Sequence, residues 1–196
     1  MVRRIEDDIA APSPRRKLLD AALELFYRDG MRAVGVDTVV AKAGVAKMSL
    51  YRAFPSKDDL IAAVLEDANH RYWQWWDKVM DRHPGQPSRQ LVGLFASVAK
   101  WTTGPGYRGC PFINTAVEFP DPQHPGRRVV LAHKAEQHRR LAELCRQAGA
   151  PQPDSLANQL LLLLEGAYSA GNTMGPDGPA GAAASAAEAL IEAALH

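Results

Sequence analysis

Apolar residues recur at three- and four-residue spacings along nearly the whole chain, and the period-two alternation of half-buried strands is almost absent. The clearest apolar stripe belongs to residues 14–29, and Gly30 follows it as a C-terminal cap. A short apolar segment over 36–43 ends at Gly44, which permits a left-handed turn. The next segment, over 46–54, ends at a Pro-Ser dipeptide. The pattern therefore predicts three helices joined by tight turns at the start of the chain.

Longer helices are predicted for the rest of the chain, separated by segments rich in Gly and Pro. Ser56 is a suitable N-cap for the first of them, and Asp154 or Ser155 for a later one. The glycine-rich segment 171–181 is expected to be a flexible connection. The predicted helices cover approximately 57–82, 87–103, 111–118, 127–147, 155–170 and 182–194. We therefore expect an all-α protein of about nine helices.

Composition places the chain among ordinary globular proteins, since 46% of its 196 residues are hydrophobic and 23% are charged. Its two cysteines, Cys110 and Cys145, lie far apart, which fits a reducing cytosol better than a disulfide framework. The N-terminus lacks the apolar core of a signal peptide, and the longest apolar run, 160–164, is too short to span a bilayer. We expect a cytoplasmic protein with no membrane partner.

Charge is unevenly placed, although the net charge of the chain is only +1. Residues 9–57 contain nine Lys and Arg against four acidic residues, a net charge of +5. From Leu60 onward, 12 basic residues stand against 13 acidic ones. The basic excess at the start of the chain suits a polyanionic partner such as DNA, and the alternative is a solvated charged surface.

The third predicted helix presents a polar face of mixed chemistry. At about 100° per residue, Leu50 faces the core whereas Met48 and Arg52 point away, with Ser49 and Tyr51 on the flanks. Such a face suits a helix in the major groove, where Arg bonds guanine edges or phosphate and Met contacts a thymine methyl group. The alternative is an ordinary surface helix, although so short a helix is marginal alone. The residues predicted to contact DNA are Arg15, Arg16, Thr38, Lys47, Met48, Ser49, Tyr51, Arg52 and Lys57.

A longer motif runs through these three helices, and it consists of Ala21-Ala22, Leu25-Phe26, Gly30, Val39, Ala43-Gly44-Val45, Leu50-Tyr51, Phe54, Pro55-Ser56-Lys57 and Leu60. In these residues the segment 16–66 resembles the DNA-binding head of the TetR family of bacterial transcription regulators. The resemblance implies an all-helical homodimer whose head binds an operator and whose larger C-terminal domain binds a small ligand that releases the DNA. We therefore expect a disordered arm over 1–13, a helix-turn-helix domain over 14–60, and a ligand-binding and dimerisation domain over 61–196.

Several positions depart from the family pattern. Gly35 stands where a capping Ser or Thr is usual, and we expect Thr38 to supply part of the lost phosphate contact. Ala46 replaces a common Ser cap, while Ala53 and Met48 stand where His and Gly are frequent. These changes leave the expected binding mode intact and affect the base preference.

Two helices near the C-terminus predict a subunit interface. Residues 156–168 are apolar almost all round, so their helix must be buried on two sides. The last helix is rich in small residues that permit close approach. Pairs of these helices from two chains would form a four-helix interface, and the alternative is a single internal core. The residues predicted for the dimer interface are Leu156, Leu160, Leu163, Leu164, Ala187, Leu190, Ile191 and Ala194.

Aromatic residues concentrate in the middle of the chain and, with a few polar groups among them, predict an apolar ligand pocket. The alternative for each aromatic residue is an ordinary place in the core. The residues predicted to line the pocket are Trp73, Trp76, Phe95, Trp101, Phe112, Asn114, Glu118, His133, Gln137 and Tyr168.

Catalytic and metal-binding patterns are missing from the sequence. His133 and His138 lie five residues apart, about 140° around a helix, so they do not form an i,i+4 ligand pair. CxxC, HExxH, GxSxG and glycine-rich phosphate loops do not occur. Cys110 is a candidate reactive thiol, and the alternative is a buried structural cysteine. We predict no cofactor, no metal and no enzymatic activity.

The sequence therefore predicts a ligand-responsive DNA-binding transcription regulator. The expected protein is a repressor that binds a palindromic double-stranded operator as a homodimer and is released by a small, largely apolar effector. The alternative is a helical ligand-binding or protein-interaction module without specific DNA binding.

Overall fold

The computed structural model describes residues 12–195, which form nine α-helices and one turn of 3₁₀-helix, with no strand in this range. The helices are α1 Pro14–Asp29, α2 Val36–Ala43, α3 Lys47–Ala53, α4 Lys57–Met80, α5 Pro87–Thr102, α6 Pro111–Glu118, α7 Pro125–Gln147, α8 Pro153–Met174 and α9 Ala183–Leu195. The 3₁₀ turn, Pro179–Ala182, precedes α9. The predicted all-α fold of about nine helices is confirmed. All but the last two residues of the arm predicted over 1–13 lie outside the described residues.

The chain divides after Val64 into two compact units, and α4 contributes to both. We call the first unit the head and the second unit, from Leu65 onward, the body. In the head, α1 packs against α2 and α3, which also contact each other. Val39, Leu50 and Phe54 lie buried at the centre of this three-helix arrangement.

Capping residues explain where the helices of the head begin and end. The backbone N–H of Arg16 donates to Ser13 Oγ at 3.2 Å and so starts α1. Gly44 adopts a left-handed conformation, with φ of 63°, and thereby allows the tight turn between α2 and α3. Ser56 Oγ accepts from the backbone N–H of Asp59 at 3.0 Å and donates to the Asp59 carboxylate at 2.6 Å. The helix boundaries predicted at Gly30, Gly44 and Ser56 are confirmed.

The body is built on α5 and α8. Helix α5 packs against α7, α8 and α9, and α7 packs against both α6 and α8. The centre of its core is formed by large side chains that are fully buried, among them Leu91, Leu94, Phe95, Leu141, Leu160 and Leu164. No described helix has an apolar stretch of the length that a membrane span requires.

Helix α8 is longer than predicted at both ends. It begins at Pro153, so neither Asp154 nor Ser155 is its N-cap. At the other end it continues through Gly171 to Met174, within the segment predicted to be a flexible connection. A Cβ atom at Gly171 would lie 2.7 Å from the Thr102 carbonyl oxygen on α5. This glycine therefore permits close packing of two helices and does not end one.

Most residues predicted for the dimer interface are buried within the chain itself. These buried residues are Leu156, Leu160, Leu164, Ala187 and Ile191. They are covered because α8 packs against α5 and α7, while α9 packs against α5 and α8. Leu163, Leu190 and Ala194 are half-buried. Helix α8 exposes two large apolar side chains, that of Leu162, with 73% of its surface accessible, and that of its last residue, Met174, with 65%.

Candidate nucleic-acid interface and ligand pocket

Helix α3 carries the candidate nucleic-acid interface, and its two faces differ sharply. Leu50 is fully buried, whereas Met48 is 65% exposed and Tyr51 43% exposed. Arg52 is also exposed, and Ser49 is half-buried. These positions agree with the helical wheel, because residues two apart from Leu50 must point away from the core that Leu50 enters. The outer face therefore presents one cation, one phenol and one thioether to solvent.

Cations around this face already have partners within the head. Lys47 Nζ lies 2.7 Å from the Asp37 carboxylate, which raises the pKa of Lys47 and keeps it positively charged. Lys57 Nζ donates to the Arg32 carbonyl oxygen at 3.1 Å. Exposed ion pairs contribute little to stability, so a phosphate can replace a carboxylate at small cost.

The remaining predicted DNA contacts lie on α1 and α2. The Arg15 guanidinium lies over the Phe54 ring, 5.1 Å from its centroid, and Arg16 forms an ion pair with Asp20. Thr38 is exposed in the first turn of α2. Arg15 and Thr38 are therefore at the surface of the head, together with the outer face of α3.

The body contains a solvent-open cavity of about 340 Å³ between α6 and α8. Three of the residues predicted to line a ligand pocket do line it, namely Asn114, Glu118 and Tyr168. The other lining residues are Gly109, Cys110, Ile113, Val117, Ser169 and Asn172. Its wall is therefore more polar than the aromatic pocket that the sequence predicts.

The other predicted pocket residues do not line this cavity. Trp73, Phe112, His133 and Gln137 belong to a cluster of rings and amides between α4, α6 and α7. Trp76 is buried beside Trp73, with ring centroids 5.7 Å apart, and Phe95 lies in the core. Trp101 is 42% exposed and packs edge-on against Tyr107 and Tyr168.

We call this group the aromatic cluster and define it as Asn69, Tyr72, Trp73, Phe112, His133 and Gln137. The His133 ring stacks on Phe112 at 3.7 Å between centroids and meets the Tyr72 ring edge-on at 4.7 Å. His133 Nδ1 lies 2.8 Å from Asn69 Oδ1, and Gln137 Nε2 donates to the Tyr72 hydroxyl at 2.7 Å. The cluster is therefore a polar network enclosed by rings.

Burial dominates the electrostatics of the cluster. It lowers the pKa of His133 to about 3, with the nearby Lys134 ammonium adding to the effect, so the imidazole is neutral at pH 7. Burial also raises the pKa of the Tyr72 hydroxyl and that of Tyr168. All three side chains therefore act as neutral hydrogen-bonding groups.

Asn69 and Tyr72 were not among the predicted site residues, although a signal for them exists. Positions 69, 72, 73 and 76 follow the three- and four-residue spacing of one helix face. His133 and Gln137 are four residues apart on α7 and face the same way. The spacing indicates two polar stripes, but it does not indicate that these stripes face each other.

Both cysteines are buried, and burial raises the pKa of the Cys110 thiol and that of Cys145, the latter to about 11. The thiols are therefore protonated at neutral pH, which supports a structural place for Cys110. Among residues 12–195, no group of three or more His, Cys, Asp or Glu side chains is placed to hold a metal ion.

A three-helix head with a glycine turn and an exposed third helix, followed by a helical body, defines the class of helix-turn-helix regulators. Residues 18–64 match the model of the bacterial regulatory proteins of the tetR family. Residues 87–187 match the model of the tetracyclin repressor-like C-terminal domain. The chain belongs to the TetR family, so it is a DNA-binding transcription regulator and not an enzyme, as predicted.

Individual relatives agree with this assignment. A TetR-family transcriptional regulator from Streptomyces coelicolor has a similar structure, with a TM-score of 0.88 and 32% identity over 93% of this chain and 96% of that one. The helix-turn-helix transcriptional regulator YjdC of Escherichia coli is 23% identical over 155 residues, which cover 79% of this chain and 81% of YjdC.

Proposed function

We propose that the protein is a ligand-responsive repressor that binds a palindromic operator as a homodimer in the cytoplasm. Residues 14–60 would bind DNA, and residues 61–196 would bind the effector and the second subunit. The observation that carries the proposal is the contrast on α3, where Leu50 is fully buried while Met48, Tyr51 and Arg52 are exposed. A dimer on its operator would block access to the promoter, which is sufficient for repression.

Each side chain on the outer face of α3 has a chemically defined task in this proposal. Arg52 bonds guanine edges or phosphate, and Met48 packs on a thymine methyl group. Tyr51, Lys47 and Lys57 bond phosphates and fix the register of the helix on the duplex. Lys47 would exchange the Asp37 carboxylate for a phosphate oxygen when DNA binds.

A two-fold symmetric operator requires two heads, whose α3 helices enter major grooves about 34–36 Å apart or a multiple of that distance. The exposed face of α8 supports the proposed dimer, because Leu162 is 73% exposed beside a shallow groove of about 280 Å³. Small residues of α8 and α9, including Gly166, Ala170 and Ala186, line this groove. Leu162 of one subunit would pack against the groove of the other.

Sedimentation of a Leu162→Glu variant tests this interface. We expect a monomer, because a carboxylate at the centre of the interface would be buried without a partner. The matched control is Leu131→Glu, which changes a leucine that is 56% exposed on α7 and should leave the dimer intact. A dimeric Leu162→Glu variant would place the interface elsewhere.

The cavity between α6 and α8 supports the proposed ligand response. Its volume of about 340 Å³ is in the lower part of the range for small-molecule sites. A ligand bound there can weaken DNA binding only if it binds the DNA-free conformation more tightly than the DNA-bound one.

Selection of random duplex DNA by the purified protein, followed by sequencing, tests operator binding. We expect an enriched palindrome whose affinity falls steeply as salt rises, because phosphate contacts release counterions. Tyr51→Ala should weaken binding to that palindrome. The matched control is Tyr27→Ala, which removes a tyrosine from α1 of the head and should leave binding to the palindrome unchanged. Weak, sequence-independent binding by a correctly folded dimer would favour a helical module without specific DNA binding.

A further inference from the structure

A hydrogen-bond acceptor without a donor is buried in the body. His133 Nδ1 lies 2.8 Å from Asn69 Oδ1, and a carbonyl oxygen can only accept, so the proton of the neutral imidazole is on Nδ1. Nε2 therefore carries a lone pair. It is buried, and among residues 12–195 no group forms a hydrogen bond with it. Leaving such a group unpaired is unfavourable, so a ligand that supplies a donor gains free energy.

Aromatic rings surround this acceptor. Phe112 stacks on the imidazole at 3.7 Å, while Tyr72 and Trp73 approach it at 4.7 Å and 5.3 Å between centroids. These rings belong to α4 and α6, and the imidazole belongs to α7. Flat aromatic walls favour a planar apolar ligand, because ring faces and edges pack closely against one another.

The cavity between α6 and α8 lies next to the aromatic cluster. Tyr168 and Cys110 line the cavity, and both lie close enough to Tyr72 to affect the pKa of its hydroxyl. The Tyr168 hydroxyl is buried and interacts with the Tyr72 hydroxyl. Tyr168 therefore belongs to the lining of the cavity and contacts the aromatic cluster.

Helix α6 contributes residues both to the cavity and to the aromatic cluster. Its residue Ile113 lines the cavity, while the adjacent Phe112 stacks on His133. The helix has only eight residues, and segments rich in Gly and Pro precede and follow it. Because neither Phe112 nor His133 lines the cavity, a ligand that reaches His133 Nε2 from it requires a displacement of α6.

The charges near the cluster favour a neutral ligand. Lys134 is the cation closest in sequence to His133, and its Nζ is already 2.5 Å from the Glu165 carboxylate. The same Nζ donates to Gln137 Oε1 at 3.1 Å. An anionic ligand would have to displace this partly buried carboxylate, which a neutral ligand need not do.

From this geometry we propose that the effector is a small neutral phenol whose hydroxyl donates a hydrogen bond to His133 Nε2. The inference rests on the proposed function, since it names the chemical class of the effector in that proposal. The cavity volume limits the ligand to about one or two rings.

Calorimetric titration of the DNA-free protein with 4-ethylphenol and with 4-ethylanisole tests the inference. The two probes share their ring and ethyl group, but the methyl ether has no donor. We expect the phenol to bind roughly tenfold more tightly, which corresponds to one buried hydrogen bond. Equal affinities, or no binding of either probe to the folded protein, would overturn the inference.

A variant locates the hydrogen bond. His133→Phe keeps a ring in the cluster and removes the acceptor, so the preference for the phenol should disappear. The matched control is His138→Phe on the same helix, whose ring nitrogen lies 2.9 Å from Asn158 Oδ1 and outside the cluster. A preference that persists in a folded His133→Phe variant would overturn the assignment to Nε2. If this variant does not fold, the comparison of the two probes on the natural protein still tests whether the ligand must donate a hydrogen bond.

Adding 4-ethylphenol to the complex with operator DNA separates this inference from the proposed function. Preferential binding of the phenol without release of DNA would support the site and contradict ligand-controlled repression. Specific operator binding by a protein that binds neither probe would contradict the site and leave the DNA-binding proposal standing.

Discussion

The head and the body bury different kinds of side chain. Among residues 12–64, the buried side chains are all apolar, and the polar groups proposed to act on DNA are at the surface. The body instead buries polar side chains, namely Thr102, Thr115, His124, His133 and Gln137. The head can therefore change its DNA contacts without changing its core, whereas a ligand that binds the polar interior of the body must change packing there.

The head and the body also differ in the free energy that their buried side chains contribute. Apolar burial stabilises both units, but each buried polar group in the body costs free energy unless a partner satisfies it. The aromatic cluster satisfies most of its groups internally, through the pairs Asn69–His133 and Tyr72–Gln137. The groups without partners are the places where a ligand can gain most.

The largest expected effect comes from the apolar core of the body. Phe95 is fully buried, so Phe95→Ala should lower the free energy of unfolding by about 3–5 kcal/mol through lost burial and a residual cavity. Urea unfolding followed by circular dichroism measures this change. Val117→Ala, at a position that is 77% exposed, should change it by less than about 0.5 kcal/mol. A loss below about 1 kcal/mol for Phe95→Ala would contradict the packing described for α5.

The next effect concerns the surface of the head. Arg52→Ala should weaken operator binding by about 1–3 kcal/mol, because it removes a base or phosphate contact. Its free energy of unfolding should change by less than about 0.5 kcal/mol, since Arg52 is exposed. Fluorescence anisotropy with a labelled operator measures the affinity. Arg89→Ala, an exposed arginine of α5, is the control, and equal affinities for the two variants would remove Arg52 from the interface.

A pH change tests the polar interior of the body. The pKa of His133 falls from 6.5 to about 3 on folding, so between these values the unfolded state binds a proton that the folded state does not. Stability from His133 is therefore complete above about pH 6.5 and is lost as the pH falls. The free energy of unfolding should decrease by at most about 2 kcal/mol between pH 7 and pH 5.

His133→Gln serves as the control for this prediction, because it removes the titrating group. Its free energy of unfolding should vary less over the same interval. Glu136, whose pKa the adjacent Arg139 and Arg140 lower to about 2, affects stability mainly below pH 4.5 and so does not interfere. The same pH dependence in both proteins would contradict a buried neutral imidazole.

The smallest effect concerns the ion pair between Lys47 and Asp37. Asp37→Asn frees Lys47 from its carboxylate and should raise operator affinity by less than about 1 kcal/mol, a few-fold change. Asp177→Asn, in the exposed loop before α9, alters the net charge equally and serves as the control. Anisotropy at low salt resolves the difference, and a weaker complex for Asp37→Asn would show that the carboxylate supports the binding conformation.

The sequence was most informative for the head, because single residues mark its helix ends. Gly44 requires a left-handed turn, Ser56 caps α4, and the observed bounds of α2 match the prediction. The orientation of α3 also followed from its sequence, since one fully buried residue, Leu50, determines which neighbours face solvent.

The packing of the body was less predictable, because each of its long helices can pack against several others. Helix α8 is apolar almost all round, so periodicity cannot tell which leucines meet α5 and α7 and which, like Leu162, remain exposed. Glycine often ends a helix, but Gly171 lies within α8, where it permits close packing against Thr102 of α5. The same applies to the aromatic cluster, whose hydrogen bonds join residues more than 60 positions apart.

A crystal structure of the protein bound to its selected duplex would show whether α3 reads DNA for a dimeric repressor. We expect two subunits whose α3 helices lie in major grooves about 34–36 Å apart or a multiple of that distance. Arg52 and Tyr51 should contact the DNA in both half-sites. A complex in which α3 lies outside the groove, or in which another surface contacts the bases, would contradict this expectation.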